Sequence, residues 1–464
     1  MSLAFGLQVA LSGLRAQQLA MDVTAHNIAN AGTEGYKRQE AQLVPGISIS
    51  GSFAMNGPGT PKLGSGVEVI SIRRMQSTFI DGQVRTANQS IGSWSSKSES
   101  LSQIESILGE PGDNGLSSIL DKFWSSWQEL ATSPESVPAR AAVVETGSEV
   151  SERINSLYTN LRSIQFQLDT QIKDNVTRIN DIATEVTSLN ENIGKSISGG
   201  YQPNDLMDRR DLLLDQLSQI VKFQVSGIGG AEMMVTINGK VLVQGTHAME
   251  VEATLGGNAW SQISWADNGW PLDPTDGQLK GQIEARDTLI QGYIDDLNTL
   301  AETIVTSVNA QHSLGTLPNG NPAGNFFVAG GDASSIAVQG TLQANPALVA
   351  TSYTGRPGDN TLAQNIADVK SQLLIGGQSI NDAYASLVGQ IGSDSRRAMS
   401  QVDVGNLSLE QLQTQRESVS GVSLDEEMIN MIRFQQAYNA AARMVTTMDE
   451  MIDIVVNRLG IVGR

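Results

Sequence analysis

The 464-residue chain contains no cysteine. Disulfides and thiolate metal sites are therefore excluded, and the absence suits a part exported to where thiols would cross-link. Histidine occurs only three times, as His26, His247 and His312, and none sits in HExxH or any other ligand spacing. Aromatics make up 5% of the residues, fewer rings than the core of a large compact enzyme usually holds. No block of five or six basic residues occurs, and the net charge is −19. Binding to nucleic acid needs clustered Lys and Arg to neutralise phosphates, so that class is excluded. An anionic membrane surface repels such a chain for the same reason. No stretch reaches the roughly 18 apolar residues of a membrane span. The first residues lack a basic segment, and Gly6, Gln8, Ser12 and Gly13 interrupt the apolar run that follows. A cleaved secretory signal is not expected.

Catalytic constellations are equally scarce. Gly194-Lys195-Ser196 ends like a phosphate-binding loop, but Leu189 stands where the first glycine belongs. Gly227-Ile228-Gly229-Gly230 lies in a β turn with no helix after it, so no dinucleotide site is expected. No GxSxG elbow is present. Asp208, Asp211 and Asp215 fall near one helical face, with Arg209 and Arg210 between them. A salt-bridged surface explains them better than a carboxylate pair. No catalytic residue, cofactor site or metal site is assigned, and the chain is not expected to be an enzyme.

The strongest pattern is at the two ends. Stepping four then three from Leu424 gives Leu424, Met428, Met431, Gln435, Tyr438, Ala442, Val445, Asp449, Ile452, Val456 and Leu459. Nine of these eleven are apolar, the seam of a coiled coil. A shorter copy opens the chain: Leu3, Leu7, Ala10, Leu14, Gln17, Met21, Thr24 and Ile28. Ser423-Leu424-Asp425-Glu426 reads as a capping box, with Ser423 and Glu426 satisfying each other's backbone donors. An isolated helix of this length is marginal in water. Both ends are expected to order only on meeting each other and neighbouring subunits.

Between the ends the fold class reads as mainly α with a β insertion. Terminal coiled-coil helices are followed by an elongated helical rod domain and a small outer β domain. The inner pair is placed at 1–35 plus 424–464. The rod takes 36–222, 281–312 and 361–423, with one nearly unbroken helix from about 139 to 197. Asn204 or Asp205 is expected to cap a helix after Pro203, and Asp205 to pair with Arg209 one turn on. The period changes to two over 223–280, where Asn238-Gly239 between Val235-Thr236-Ile237 and Lys240-Val241-Leu242-Val243 is a strong hairpin signal. Residues 313–360 are rich in Gly, Pro, Asn and Ser and read as a short loop-rich or minor β insertion. Val67, Val69 and Ile72 read as a strand after a loop at Gly57-Pro58-Gly59-Thr60-Pro61.

Three segments carry a resemblance. The run Thr24-Ala25-His26-Asn27-Ile28-Ala29-Asn30-Ala31-Gly32-Thr33-Glu34-Gly35-Tyr36-Lys37-Arg38-Gln39 resembles the N-terminal signature of the bacterial flagellar axial proteins. That family comprises rod, hook and hook-associated subunits. Ser418-Val419-Ser420-Gly421-Val422-Ser423-Leu424-Asp425-Glu426-Glu427 with Phe434-Gln435-Gln436-Ala437-Tyr438, and Pro203-Asn204-Asp205-Leu206-Met207-Asp208-Arg209-Arg210-Asp211, are similar to its hook-associated branch. His26 replaces the usual Asn of the signature, and Lys37 stands where this branch more often has Ser or Thr.

The resemblance implies a secreted structural subunit at the hook–filament junction, exported through the flagellar type III apparatus without a cleaved signal. It implies a ring of identical subunits, with the hook protein and hook-associated protein 3 as neighbours. A cytoplasmic export chaperone would cover the C-terminal helix beforehand. Assembly would use Leu3, Leu7, Leu14, Met21 and Ile28 with Leu424, Met428, Met431, Tyr438, Val445, Ile452, Val456 and Leu459. Hook protein, hook-associated protein 3 and an adhesin-like surface protein are the alternative readings.

Overall fold

A computed structural model describes residues 3–46, 64–227, 229–257 and 259–458. The loop at 57–61 and Leu459 lie outside the described residues. Helix α1 (Leu3–Asn30) opens the chain and is followed by an antiparallel ribbon, β1 (Gln39–Pro45) and β2 (Val67–Arg74). Then come α2 (Thr78–Leu108), α3 (Leu116–Thr132), α4 (Val137–Ser198) and α5 (Asn204–Ile220). A four-stranded antiparallel sheet follows, made of β3 (Gln224–Ser226), β4 (Met234–Ile237), β5 (Lys240–Gln244) and β6 (His247–Ala248). A separate pair, β7 (Val251–Leu255) and β8 (Ser261–Trp265), lies beside it. The chain continues through α6 (Gln278–Glu284), a π turn at Ala285–Leu289, α7 (Ile290–His312), α8 (Gly340–Ala344) and α9 (Thr361–Asp368). It ends with α10 (Ile380–Ser420) and α11 (Leu424–Asp453).

Local chemistry sets these limits. The Ser77, Ser136 and Ser379 hydroxyls accept from the backbone N–H of Ile80, Ala139 and Asp382, closing the first turns of α2, α4 and α10. Gly109 ends α2 in the left-handed region, at φ 61°. Asn238 and Gly239 take φ of 50° and 81°, the backbone that a two-residue hairpin between β4 and β5 requires.

The 62 residues of α4 form a spine about 93 Å long at 1.5 Å per residue, and two cores meet along it. Leu157, Leu161 and Ile164 belong to the larger core with α3, α7, α9 and the start of α10. Ile172, Ile179 and Val186 belong to the second, with α5 and the β strands. The few aromatics are concentrated: Phe123 and Trp127 of α3, with Trp124 against Phe123, meet Phe326 and Phe327 in the larger core. Residues 313–360 therefore contribute to the helical core. Among the described residues their strand pairing is limited to isolated bridges, Thr316 with Pro322 and Phe327 with Val338, and their helix to short turns such as α8.

The helix running from Gln278 to His312 is interrupted by the π turn. It holds Arg286 against α4, where its guanidinium reaches Asp169 at 2.6 Å, and against β8 through the Ser261 carbonyl at 3.1 Å. A widened turn of this kind re-aims one side chain without ending the helix.

Gly92 and Gly281 each let a helix approach another segment's backbone. A Cβ at Gly281 would run into the Ser93 carbonyl oxygen, and one at Gly92 into that of Gln219. Backbone cannot give way as a side-chain tip does. Gly281→Ala is therefore expected to cost about 1–3 kcal/mol. Gly292→Ala on α7, where a Cβ meets nothing within 4 Å, should stabilise by up to about 1 kcal/mol. Urea midpoints of the two variants should move in opposite directions.

His312 is fully buried. Its Nδ1 lies 2.8 Å from the Gly324 carbonyl, and its Nε2 accepts from the Ala350 amide at 3.1 Å. The ring is thus neutral, with the proton on Nδ1, and it ties the 313–360 segment to α7. Burial pushes its pKa down to about 4, against a small upward pull from Gly324. The unfolded chain takes up this proton near pH 6.5 and the folded chain only near 4. The contribution is therefore complete above about pH 6.5 and falls away between there and about 4, by about 3 kcal/mol. Urea midpoints at pH 7 and pH 4.5 should differ less for His312→Gln than for the unaltered chain.

Candidate assembly site

Helices α1 and α11 pair antiparallel: Asn27 bonds to Glu427 at one end, and Met448 lies against Gly6 near the other. Gly6 leaves no room for a Cβ beside the Met448 thioether. The two ends of the chain therefore meet within one molecule, along part of the expected seam.

On α11 the covered rows are Met431, Tyr438, Val445 and Ile452, as the repeat places them, with Glu427, Phe434, Ala441 and Met448 beside them. The repeat puts Met428, Gln435, Ala442 and Asp449 in that second row; Ala442 is half-buried, but the other three are exposed. Leu424, at 51% exposure, and Val456, at 71%, also lie outside the covered strip. Leu7, Leu14, Met21 and Ile28 on α1 are half-buried. Its fully covered positions are Ala10, Ala16, Ala20, Val23, Thr24 and Asn27. They are small because α1 packs against both α11 and the β1–β2 ribbon. The side chain of Leu3 lies outside the described residues.

The pair is seated on a polar junction. Glu427 is buried at 2% exposure. Its Oε1 accepts from Arg38 Nε at 2.8 Å and its Oε2 from Asn27 Nδ2 at 3.0 Å. Asn27 Oδ1 accepts from the Tyr36 hydroxyl at 2.8 Å and the Gln39 amide at 2.9 Å, while Nδ2 also donates to the Gln39 carbonyl at 2.9 Å. One side-chain amide thus pairs with both backbone groups of Gln39, as a neighbouring strand would. The Arg38 amide donates to the Ser420 carbonyl at 2.9 Å, tying together the two chain segments that lead to the pair. Burial, and then the carboxylates of Asp205, Asp208 and Glu427, raise the Tyr36 pKa, so its hydroxyl stays a donor.

Below this lies a second polar layer. Four cations, Lys37, Arg74, Arg85 and Arg416, meet four carboxylates, Asp81, Asp208, Asp211 and Asp215. Lys37 Nζ is 2.7 Å from Asp211 and 3.1 Å from Asp81, and its backbone amide donates to Asp208 at 3.1 Å. Arg74 reaches Asp208 at 2.9 Å and Asp211 at 3.0 Å. Asp215 joins Arg85 at 2.7 Å to Arg416 at 2.8 Å. The aspartates expected on a salt-bridged surface are thus mostly interior, and their partners come from the signature segment, β2, α2 and α10.

Burial pushes Asp211 up, but Lys37, Arg74 and Arg85 outweigh it and hold its carboxyl below the usual range. For Asp208 burial prevails over Arg74 and Lys37, and its pKa is raised.

Two neighbouring expectations are corrected. Asn204 is the first residue of α5 but does not cap it; its Nδ2 donates to Gln39 Oε1 at 3.0 Å and to the Ile72 carbonyl at 2.9 Å. Pro203 occupies the cap position, so Asn204 already lies inside the first turn, and its amide serves the strand carbonyl instead. Asp205 turns to Gln39 at 2.9 Å and His26 at 3.3 Å, and Arg209 to Glu185 at 3.1 Å, rather than to each other. Ser423 does accept from the Glu426 amide, at 3.5 Å, whereas the Glu426 carboxylate lies 3.6 Å from Arg38.

The arrangement fixes orientation and offers no reaction. Its charges are spent on each other, and no group of three His, Asp or Glu among the described residues could hold a metal ion. Asn27, Tyr36, Arg38 and Glu427 lay inside the quoted signatures without an assigned role. The legible signal was opposite charge, Lys37-Arg38 in one motif and Asp208 with Asp211 in another.

Breaking a buried pair strands its partner. Asp211→Ala is expected to cost about 3–5 kcal/mol, against less than about 1 for Asp205→Ala at the exposed edge. Because the Asp211 pKa is depressed, its contribution is present above the ordinary carboxylate range and lost as pH falls through the folded value. Asp208, with a raised pKa, acts in the opposite sense. Asp211→Asn should therefore flatten the acid limb of stability against pH, as read by urea midpoints.

Comparison with known proteins agrees with this geometry. Residues 101–327 match the family model of the flagellar hook-associated protein FlgK helical domain. Residues 7–37 match the flagella basal body rod protein model, and 413–459 the flagellar basal body rod FlgEFG protein C-terminal model. The last two coincide with the helix pair and its junction. The chain is 33% identical to flagellar hook-associated protein 1 of Bacillus subtilis, over 99% of each chain. It is 27% identical to that of Escherichia coli, over 97% of this chain and 98% of the other. The flagellar hook junction protein FlgK from Burkholderia pseudomallei has a similar fold, with a TM-score of 0.64 at 15% identity, covering 73% of this chain and 100% of that one.

Proposed function

This chain belongs to the flagellar hook-associated protein 1 family, and on that premise we propose how its two ends build the junction between hook and filament. It is a structural part of the bacterial flagellum, in a family that catalyses no reaction, and it assembles with other flagellar components. The observation that carries the reading is the incompletely covered α11. Leu424, Met428, Ile429, Ile432, Met444 and Met451 remain at least half exposed after α1 has packed against it. Apolar surface of this extent on one helix of an acidic chain marks a contact face.

In this reading the seam of Leu7, Leu14, Met21, Ile28, Met431, Tyr438, Val445 and Ile452 holds the pair together. The exposed residues then meet neighbouring subunits around a common axis. The inner unit is 1–35 with 424–464, the rod 36–222 with 281–312 and 361–423, and the β unit 223–280, with 313–360 seated in the rod's core. The neighbours are further copies, the hook protein on one side and hook-associated protein 3 on the other. A cytoplasmic chaperone covers the same apolar face of α11 before export, which proceeds without a cleaved signal.

A strain lacking the chain should make hooks without filaments and release flagellin, and immunogold should label hook tips in the complemented strain. Filaments growing normally without it would defeat the reading. Ile432→Asp, at an exposed position, should change folding stability by no more than about 0.5 kcal/mol while abolishing filaments in complementation.

A further inference from the structure

Backbone groups along β1 point alternately to its two edges. The Arg38 carbonyl accepts from the Met75 amide, on the side of β2. The Gln39 amide and carbonyl point the other way, where the Asn27 side chain takes both. Two residues on, the Ala41 amide and carbonyl face that same edge. The opposite strand agrees: the carbonyl of Ile72, the register partner of Ala41, turns away from β1 to Asn204. The extra residue of the bulge, Ile70, belongs to β2, so β1 itself runs on unbroken. Among the described residues nothing takes the Ala41 amide or carbonyl as Asn27 takes those of Gln39.

That edge opens into a groove of about 460 Å³ between the ribbon and α11. Asn430 lines it, half-buried, and its side-chain amide makes no hydrogen bond among the described residues. Three arginines and two glutamates carry the charge of the lining. Glu427 is claimed by Arg38, and Arg73 stands opposite Glu40 across the ribbon. Arg433 is left over. It is exposed, lies 5.0 Å from the Phe434 ring, and has no carboxylate partner among the described residues.

These groups select their occupant. An amide beside a carbonyl at strand spacing asks for one acceptor and one donor. Another extended backbone supplies both; an anion has no donor, and a helix spends its backbone groups internally. The lining is one charge positive on a chain of net charge −19, so a carboxylate is the side chain that suits Arg433. Addition of a strand to an exposed edge, with affinity from the main chain and selectivity from side chains, is a general mode of peptide recognition.

We propose that this groove binds an extended peptide segment as a third strand of the ribbon, its backbone paired with Ala41 and an acidic side chain set against Arg433. The site is distinct from the apolar face of α11 and does not depend on the place of the chain in the flagellum.

The test uses the full purified chain and a fluorescein-labelled probe, Val-Asp-Val-Asp-Val-Asp-Val, followed by anisotropy. The probe should bind saturably, and its counterpart with Lys for Asp at least about tenfold more weakly. Ala41→Pro removes the donor at the free edge and leaves the ladder to β2 intact, and should weaken the Asp probe by at least about tenfold. Arg433→Glu should make the Lys probe the tighter of the two. In the unaltered chain a saturating Asp probe should slow hydrogen exchange more at the Ala41 amide than at Glu40, which already faces β2. No saturable binding, equal binding to Ala41→Pro with its thermal melt unchanged, or a preference for Asp that survives Arg433→Glu overturns the proposal. If Ala41→Pro unfolds the chain, exchange at Ala41 decides, and no slowing there overturns it. Inorganic phosphate displacing the probe as well as unlabelled Asp peptide does would assign the groove to an anion instead. Self-association abolished by Ala41→Pro, without probe binding, would assign it to a second copy. Filaments growing normally without the chain would defeat the junction reading and leave this site standing.

Discussion

A buried carboxylate at the first turn of the last helix, Glu427, holds the position of everything that precedes and follows it. Its two oxygens are claimed by Arg38 and Asn27, residues some four hundred positions away in the chain. Through Asn27 the bond continues to Tyr36 and Gln39, and through Arg38 to Ser420. An unpaired carboxylate at such depth would cost several kcal/mol, on the order of a large share of a domain's net stability. The terminal pair is therefore seated where Glu427 finds these partners. The ionic layer beneath adds Lys37 and Arg74, at the base of the ribbon, to the acidic face of α5.

The molecule divides its labour between two kinds of contact. The helix pair is joined by half-buried apolar side chains and small residues, which tolerate some sliding. Its junction to α2, α5 and the ribbon is joined by geometrically demanding pairs, which do not. Buried ion pairs contribute little net stability against a well-packed apolar alternative. What they supply is one orientation, because any rotation strands charges away from water. The apolar residues left uncovered on α11 are then presented in a fixed direction.

Much of the architecture was legible from local pattern. The helix expected at 139–197 is α4 at 137–198, and Asn238-Gly239 turns as its residue types require. The repeat at the C-terminus gave the period of the seam and five of its covered residues, Met431, Tyr438, Ala442, Val445 and Ile452. It misplaced the second row by one position, choosing Met428 over Glu427. An apolar residue looks like the better seam member until a buried partner for the acid is known. Asn204 was misjudged by one position: Pro203 takes the cap, and the Ile72 carbonyl that receives the Asn204 amide is distant in sequence. The Gly- and Pro-rich block at 313–360 hid Phe326 and Phe327 because turn residues around them masked their burial.

What the sequence determined by itself, then, was periodicity, caps, turns and the balance of charge, all set within a few residues of each other by backbone sterics and side-chain type. What only the tertiary structure decided was phase and partnership. It settled which row of α11 is covered, which aspartates of α5 are interior, and which cation each one meets. Those outcomes depend on segments brought together from opposite ends of the chain, where the cost of leaving a charge or a carbonyl unpaired outweighs any local preference.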